Sequence, residues 1–366
     1  MSGNLRVNPA LAHLPVYLPG RPIEEVARDL GLPADNVIKL ASNENPLGPS
    51  PKAIEAMKSV LDKLHLYPDG SAFYLKRKLA QKLGVRTEHL IFGNGSNEIL
   101  EFVGHALITP GSEVVVSQYC FAVYPIVTAL FGGTLVTAPA KDFGHDLDAM
   151  AAAITDRTKV VFVANPTNPT GTVNTNEEIY RFIERVPKHV LIAFDEAYVE
   201  FLQDPPALME RILSGAQPNL ILMRTFSKIY GLAGLRLGYG IASPEVIALM
   251  EKVRQPFNIN ALIQAGAMAA LDDEAHLRAT LENNRTGLHY FEKELRAMGI
   301  RFVPSSTNFI LLQVGDGAGV FQSLQKAGVI TRPMASYGLG DWIRISIGTP
   351  TENTRCIAAL RQSLNR

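Results

Sequence analysis

Between Thr225 and Gly240 the chain reads "TFSKIYGLAGLRLGYG", which sets one amine, Lys228, and one guanidinium, Arg236, among hydroxyls, glycines and apolar side chains. Either cation can be an ordinary surface residue whose stem lies along apolar neighbours. A lysine in interior sequence, however, is seldom without a partner, and near polarising groups its amine forms a Schiff base with a carbonyl. Other polar groups stand where neighbouring apolar runs end: "NPTNPTG" from Asn165, which contains Asn168, and "FDEAY", which contains Asp195 and Tyr198. Taken singly, these are the residues of turns and helix caps. Taken together, three successive run ends supply an amide, a carboxylate with a phenol, and hydroxyls with an amine.

That set suits a pyridine aldehyde that carries a phosphate. Lys228 would bind the aldehyde, and Asp195 would keep the ring nitrogen protonated so that the ring withdraws electrons, which is the pattern of pyridoxal phosphate sites. Asn168 and Tyr198 would donate to the ring's 3-oxygen, and Thr225, Ser227 and Arg236 would take the phosphate. A second anion cradle lies in "FGNGSNEIL", where glycines precede Ser96, Asn97 and Glu98 at the start of a helical pattern. Backbone N–H groups at a helix N-terminus receive anions, although Ser or Asn there also serve as caps. "SQYCFAVYP" offers Tyr119 or Phe121 as a flat face for the ring, in a run where aromatics are commonly core.

The elements that must position these groups are readable as short unalternating apolar runs separated by helical periodicity: "EVVVS", "TLVTA", "KVVFVANP", "HVLIAFDEAY", "NLILMRTFS" and "LGYGIA". Such runs read as strands buried on both faces, and the helices between them as crossovers, so the expected fold is α/β with a mostly parallel sheet. Ligands of such sheets bind at strand ends. Beyond about Pro256 two long helical stretches, then "TNFILLQV" and "DWIRISIGT", alternate less regularly, as in a smaller α+β domain. The expected divisions are an arm over residues 1–45 that joins the small domain, a large domain over 46–256, and a small domain over 257–366.

Composition narrows the partners. The 366 residues are 47% apolar and 19% charged, with 35 basic and 35 acidic side chains. This balance gives no basic footprint for nucleic acid and no electrostatic membrane anchor. Two cysteines, Cys120 and Cys356, lack the number for a disulfide framework and the spacing for zinc, so no metal is expected. The N-terminus has no charged start before an apolar stretch, and no run approaches the roughly 18 apolar residues of a membrane span. A soluble, cytoplasmic protein acting on small molecules is the expectation.

The motifs "LASNENPLGPSP", "YPDGSAFYLKRKLA", "FGNGSNEIL", "NPTNPTG", "FDEAYVEF", "TFSKIYGLAGLRLGYG" and "WIRISIGT" occur in an order that resembles the fold-type I, pyridoxal-phosphate-dependent aminotransferases, and among them the histidinol-phosphate aminotransferases, over nearly the whole chain. The resemblance implies that Lys228 is the cofactor-binding acid/base and that Asp195 partners the pyridine nitrogen. It implies Asn168 and Tyr198 at the 3-oxygen, and Ser96, Asn97, Thr225, Ser227 and Arg236 at the phosphate, with Phe121 aligning best as the stacking ring. Tyr67 of "YPDG" would reach the phosphate of a second subunit, implying a homodimer. Arg344 and Arg332 match anion-binding arginines, with Tyr17 and Asn45 as further substrate contacts. The implied reaction exchanges an amino group between histidinol phosphate and 2-oxoglutarate, yielding imidazole acetol phosphate and glutamate. An aromatic-amino-acid aminotransferase and a phosphothreonine decarboxylase share most of these motifs. Asn97 stands where many relatives carry Asp.

Overall fold

In the computed structural model, which describes Leu14 and residues 20–365, the six apolar runs lie on strands of one seven-stranded sheet. In chain order the strands are β1 (Leu90–Asn94), β2 (Glu113–Ser117), β3 (Thr134–Ala138), β4 (Thr158–Ala164), β5 (Leu191–Asp195), β6 (Leu220–Thr225) and β7 (Leu237–Ala242). Their spatial order is β1-β7-β6-β5-β4-β2-β3. β7 runs antiparallel to β1 and β6, and every other neighbouring pair is parallel. β1 is the strand the sequence conceals, because only "LIF" of "LIFGN" is apolar before the chain enters the glycine-rich turn.

The absence of alternation in these runs has the expected cause. Phe92, Val115, Val161, Ile192, Phe194 and Leu222 enter the core on one face of the sheet. Ile91, Val114, Val116, Phe162, Ala193 and Ile221 enter the core on the other. A strand covered on both sides needs apolar residues at every position. Edge strand β3 is the exception and exposes Thr134, Leu135 and Thr137. The covering helices begin at side-chain caps that satisfy first-turn N–H groups, among them the Thr175–Glu178 capping box, Ser243 and Asn260.

A second sheet is antiparallel, with β8 (Phe302–Val303), β9 (Phe309–Gln313), β10 (Arg332–Pro333) and β11 (Trp342–Ser346) in the order β8-β9-β11-β10. Its core joins Ile310, Leu312, Ile343 and Ile345 to Phe291, Leu295 and Leu360 of the helices Glu274–Ala297 and Pro350–Ser363. The described part of the arm lies with this domain: Ile38–Lys39 pairs in parallel with Val329–Ile330, and Val26 and Ala27 pack on Ile330.

The division between domains differs from the sequence reading at 256/257. Ile259, Ile263, Ala267, Ala270 and Leu271 belong to the core of the large sheet together with Ala53. The helix Ala261–Ala270 thus packs with the large domain, and we place the division near Asp273, whose carboxylate caps the next helix. A change in strand spacing does not say which core a helix will join.

Candidate active site

The carboxyl ends of β4, β5 and β6, the turn after β1 and the facing edge of the second domain enclose one cavity of about 370 Å³. Its walls contain Ser96, Asn97, Phe121, Asn168, Asp195, Tyr198, Thr225, Ser227, Lys228, Arg236, Arg332 and Arg344. The structure therefore brings together twelve of the residues singled out from sequence.

Lys228 follows β6 by three residues, and its Nζ donates to Ser42 O at 3.3 Å. Burial pushes its amine down to about 8, and the cations Arg344 and Arg236 add to this, against the pull of Glu44 and Asp195. A lysine so placed has a neutral, nucleophilic form within physiological reach. Asp195 ends β5, 7% exposed, and its carboxylate accepts from Tyr124 Oη at 2.8 Å and from Ala197 N at 3.0 Å. Burial raises its pKa despite these two donors. A carboxylate buried this way is stabilised by a cation brought alongside it, the role a protonated ring nitrogen fills.

Tyr198 is buried beside Asp195, and its hydroxyl accepts from Asn43 Nδ2 at 2.8 Å, which leaves its own proton for another acceptor. Burial pushes this phenol up to about 12, so it is a donor at neutral pH. Asn168 accepts from Arg344 Nη1 at 2.5 Å through its side-chain oxygen, leaving its amide N–H groups to donate.

The anion cradle depends on missing side chains. Gly95 caps the helix Ser96–Leu107 with φ 77° and offers no side-chain acceptor, so the first-turn N–H groups point outward unsatisfied by a cap. A Cβ on Gly95 would collide with the Arg236 guanidinium, and one on Gly238 with the Ser96 backbone. Arg236 itself adopts φ 63°, a left-handed conformation that turns its exposed side chain toward Gly95, and its Nη1 donates to Ala233 O at 3.1 Å. Thr225 Oγ1 accepts from Ser227 N at 3.0 Å and holds that turn. Helix terminus, hydroxyls and guanidinium fit a phosphate, while Lys228 and Asp195 stand where the rest of a pyridoxal phosphate would extend.

Phe121 lines the cavity, whereas Tyr119 points away and stacks on Phe143 at 5.8 Å. Arg344 is 7% exposed, donates to Ala41 O at 3.0 Å through Nη2, and lies over the Phe309 ring. Asn45 is not brought to this cavity: its Nδ2 donates to Ile229 O and Thr280 Oγ1, and its Oδ1 accepts from Leu47 N. Asn43, two residues earlier, takes the place at the site, at φ 56°, with Ser346 Oγ and the Asn308 amide completing its bonds. Tyr67 lies outside the cavity, 83% exposed and stacked on Phe257 at 4.8 Å. Tyr17 lies outside the described residues.

Two contributors escaped the sequence reading. Tyr124 looks like core in "SQYCFAVYP", and only its hydroxyl, opposite Asp195, marks it otherwise. Asn43 carried a usable signal in "LASNENPLG", where two asparagines two apart made either one a candidate.

The chain matches the profile of the aminotransferase class I and II family over residues 35–360. It is 50% identical over 358 residues to a histidinol-phosphate aminotransferase of Akkermansia muciniphila, covering 98% of each chain. It is 47% identical over 371 residues to histidinol-phosphate aminotransferase 2 of Pseudomonas fluorescens, covering 100% of both. The solved histidinol-phosphate aminotransferase of Sinorhizobium meliloti, in complex with pyridoxal-5'-phosphate, superposes with a TM-score of 0.90 at 28% identity, over 100% of this chain and 99% of that one.

Proposed function

Because the chain belongs to the class I and II aminotransferases, we propose that it transfers an amino group between L-histidinol phosphate and 2-oxoglutarate, giving imidazole acetol phosphate and L-glutamate, in histidine biosynthesis. The observation that carries this reading is the convergence of Lys228, Asp195 and the uncapped Ser96 helix on a cavity that Arg344 and Arg332 close from the opposite side. Full-length identity to enzymes named for this substrate supports the choice of donor.

Pyridoxal 5'-phosphate, when bound, supplies an electron sink for the substrate carbon that bears the amino group. This chain's residues do the rest. The backbone at Ser96 and Asn97, with Thr225, Ser227 and Arg236, holds the phosphate. Asp195 keeps a positive charge on the ring nitrogen, Tyr198 and Asn168 donate to the 3-oxygen, and Phe121 covers the ring. Lys228 Nζ would take the proton from the substrate carbon. Arg344, with Arg332 beside it on the neighbouring strand, holds the substrate's anion. Histidinol phosphate lacks a carboxylate but carries a phosphate near the reacting carbon, so one guanidinium serves that phosphate and a carboxylate of glutamate in turn.

A side-by-side turnover assay tests the substrate. Histidinol phosphate should exceed phenylalanine and tyrosine as amino donor, with no carbon dioxide released from phosphothreonine. Preference for an aromatic donor, or decarboxylation, overturns the reading.

The working unit we propose is a homodimer in the cytoplasm. Among the described residues no helix is long and apolar enough to cross a membrane. Leu61, Leu64, Leu66, Tyr67, Phe73 and Tyr74 are all exposed within one short stretch of chain, the kind of apolar surface that a partner covers. Tyr67 in that patch would complete the neighbouring subunit's phosphate site. Sedimentation should give a dimer, and a fully active monomer would end the idea.

A further inference from the structure

A hairpin of the large domain, Ala140–Lys141 paired with Gly144–His145, turns through Asp142 and Phe143 with φ of 49° and 65°. Positive φ at both turn residues is the signature of a type I′ turn, which favours Asn or Asp followed by Gly. Asp142 fits this preference. Phe143 does not, because a bulky side chain in the left-handed region is disfavoured. The hairpin does not need a ring at 143 to stay on its own domain. Thr172 Oγ1 donates to Phe143 O at 3.4 Å, Asn174 Nδ2 donates to His145 O at 3.0 Å, and the buried His145 ring bonds Ala164 O.

The ring instead leaves its domain. Its centroid lies 4.9 Å from that of Trp342 on β11, at 56°, and the Arg301 guanidinium stands 5.6 Å from both rings. Val303, Met334 and Leu339 of the second domain form the cluster it packs against, with Tyr337 at the margin. On its other side is Tyr119, two residues before Phe121. Side chains two apart on a strand share a face, and Trp342 is two residues before Arg344. One chain of contacts, Tyr119–Phe143–Trp342, therefore runs from the loop bearing Phe121 to the strand bearing Arg344, and Tyr337 joins both this cluster and the cavity wall.

We propose that Phe143 is a positioning residue for the substrate's anion: it is the peg by which the large domain holds β11, and with it Arg344 and Tyr337, over the cavity. This rests on the functional reading above only for the identity of the substrates.

Phe143→Gly separates positioning from folding, because it creates the Asp-Gly pair that a type I′ turn prefers. The cofactor-loaded variant should melt no lower than the parent and keep the parent's cofactor affinity and absorbance. Its KM for glutamate and for histidinol phosphate should rise on the order of ten- to a hundredfold, the scale of a displaced anchoring group, with kcat falling less. Trp342, the single tryptophan of the chain, should report the lost neighbour as a shift in emission. Phe143→Tyr keeps the ring and should restore the parent values.

An unchanged KM for glutamate in Phe143→Gly overturns the proposal. So does a parallel loss of melting temperature, cofactor affinity and substrate affinity, which marks a general structural role. If the parent enzyme fails with histidinol phosphate, the functional reading falls instead. The glutamate comparison and the Trp342 emission still decide the role of Phe143.

Discussion

On the large-domain wall of the cavity, Asp195 and Thr225 end strands β5 and β6 that share a ladder, and Lys228, Asn168 and the Ser96 helix follow from strands of the same sheet. On the facing wall, Arg332 and Arg344 come from a sheet with a core of its own, and Tyr337 from the helical turn Ala335–Tyr337 between their strands. The ties across are fewer and made mainly by side chains: Arg344 to Asn168, Asn43 between Tyr198 and Ser346, and Phe143 against Trp342, beside one backbone bond from Ser306 N to Gly171 O at 2.9 Å. A wall set by one hydrogen-bonded sheet is rigid, whereas a wall docked through side chains keeps its place only while those contacts last. Damage to the first wall should therefore strike cofactor and chemistry, and damage to the second should strike substrate affinity.

The largest effect expected is that of Lys228→Ala. Loss of the group we propose to move the proton should lower single-turnover rates on the order of 10⁴-fold or more. The phosphate cradle is untouched in this variant, so cofactor should still bind, without the covalent link that borohydride reduction and peptide mapping detect. Labelled lysine elsewhere, or retained turnover, would remove Lys228 from its role.

Next comes Arg344→Ala, which tests the opposite wall. Both half-reactions should weaken by about 2–4 kcal/mol, the scale of a lost charge-assisted bidentate pair. Arg344→Lys should recover part of this, since an ammonium has no planar fork. Cofactor absorbance should stay that of the parent, because Arg236 and not Arg344 is the guanidinium we propose at the phosphate. A variant impaired with glutamate and normal with histidinol phosphate would assign the phosphate to another group, with Arg332 the first to test.

The same contrast between walls governs what could be read from sequence. Lys228, Asp195, Thr225 and Ser227 were legible because a buried strand ends in a fixed place, and polar residues at that end have few uses other than caps, turns and ligands. β1 was not, because only Leu90, Ile91 and Phe92 of it are apolar before Gly93 and Asn94, nor was the hairpin at Asp142–Phe143, whose two-residue strands carry no period to detect. Asn45 is the asparagine named from sequence and Asn43 is not, since nothing local in this turn-rich stretch marks Asn43 out. The deciding bonds, to Tyr198 and Ser346, span 155 and 303 residues. Likewise Tyr119 and Phe121 were equivalent in sequence until Phe143 took the first and the cavity took the second.

A third, roughly tenfold effect joins the two walls through charge. Burial and then Arg344 depress the Lys228 amine to about 8. A lowered pKa leaves the amine charged below that pH and neutral above it, and only the neutral amine attacks an aldehyde. Uptake of pyridoxal phosphate by cofactor-free protein should therefore accelerate about tenfold from about pH 7 to 9, following the neutral fraction. Arg344→Gln removes a cation that disfavours the charged amine, so the midpoint should move to higher pH. A midpoint that stays put would show the walls to be electrostatically independent.

The smallest effect expected is that of Tyr124→Phe, and it sharpens the comparison because it deletes one oxygen behind the large-domain wall. The Tyr124 ring is stacked on Phe162 at 4.7 Å and 12°, and phenylalanine keeps that packing. What disappears is the 2.8 Å bond to Asp195, leaving the Ala197 N–H as the remaining donor among those described. The bond lowers the carboxyl's pKa against the burial that raises it, so without it Asp195 holds its charge less readily and partners the ring nitrogen less well. The expected loss is about 1 kcal/mol of cofactor affinity, roughly fivefold, seen by titrating pyridoxal phosphate into cofactor-free protein. KM for glutamate should not change, because Arg344 lies on the other wall. If KM rises as much as cofactor affinity falls, the two walls respond as one body and the contrast drawn between them is wrong.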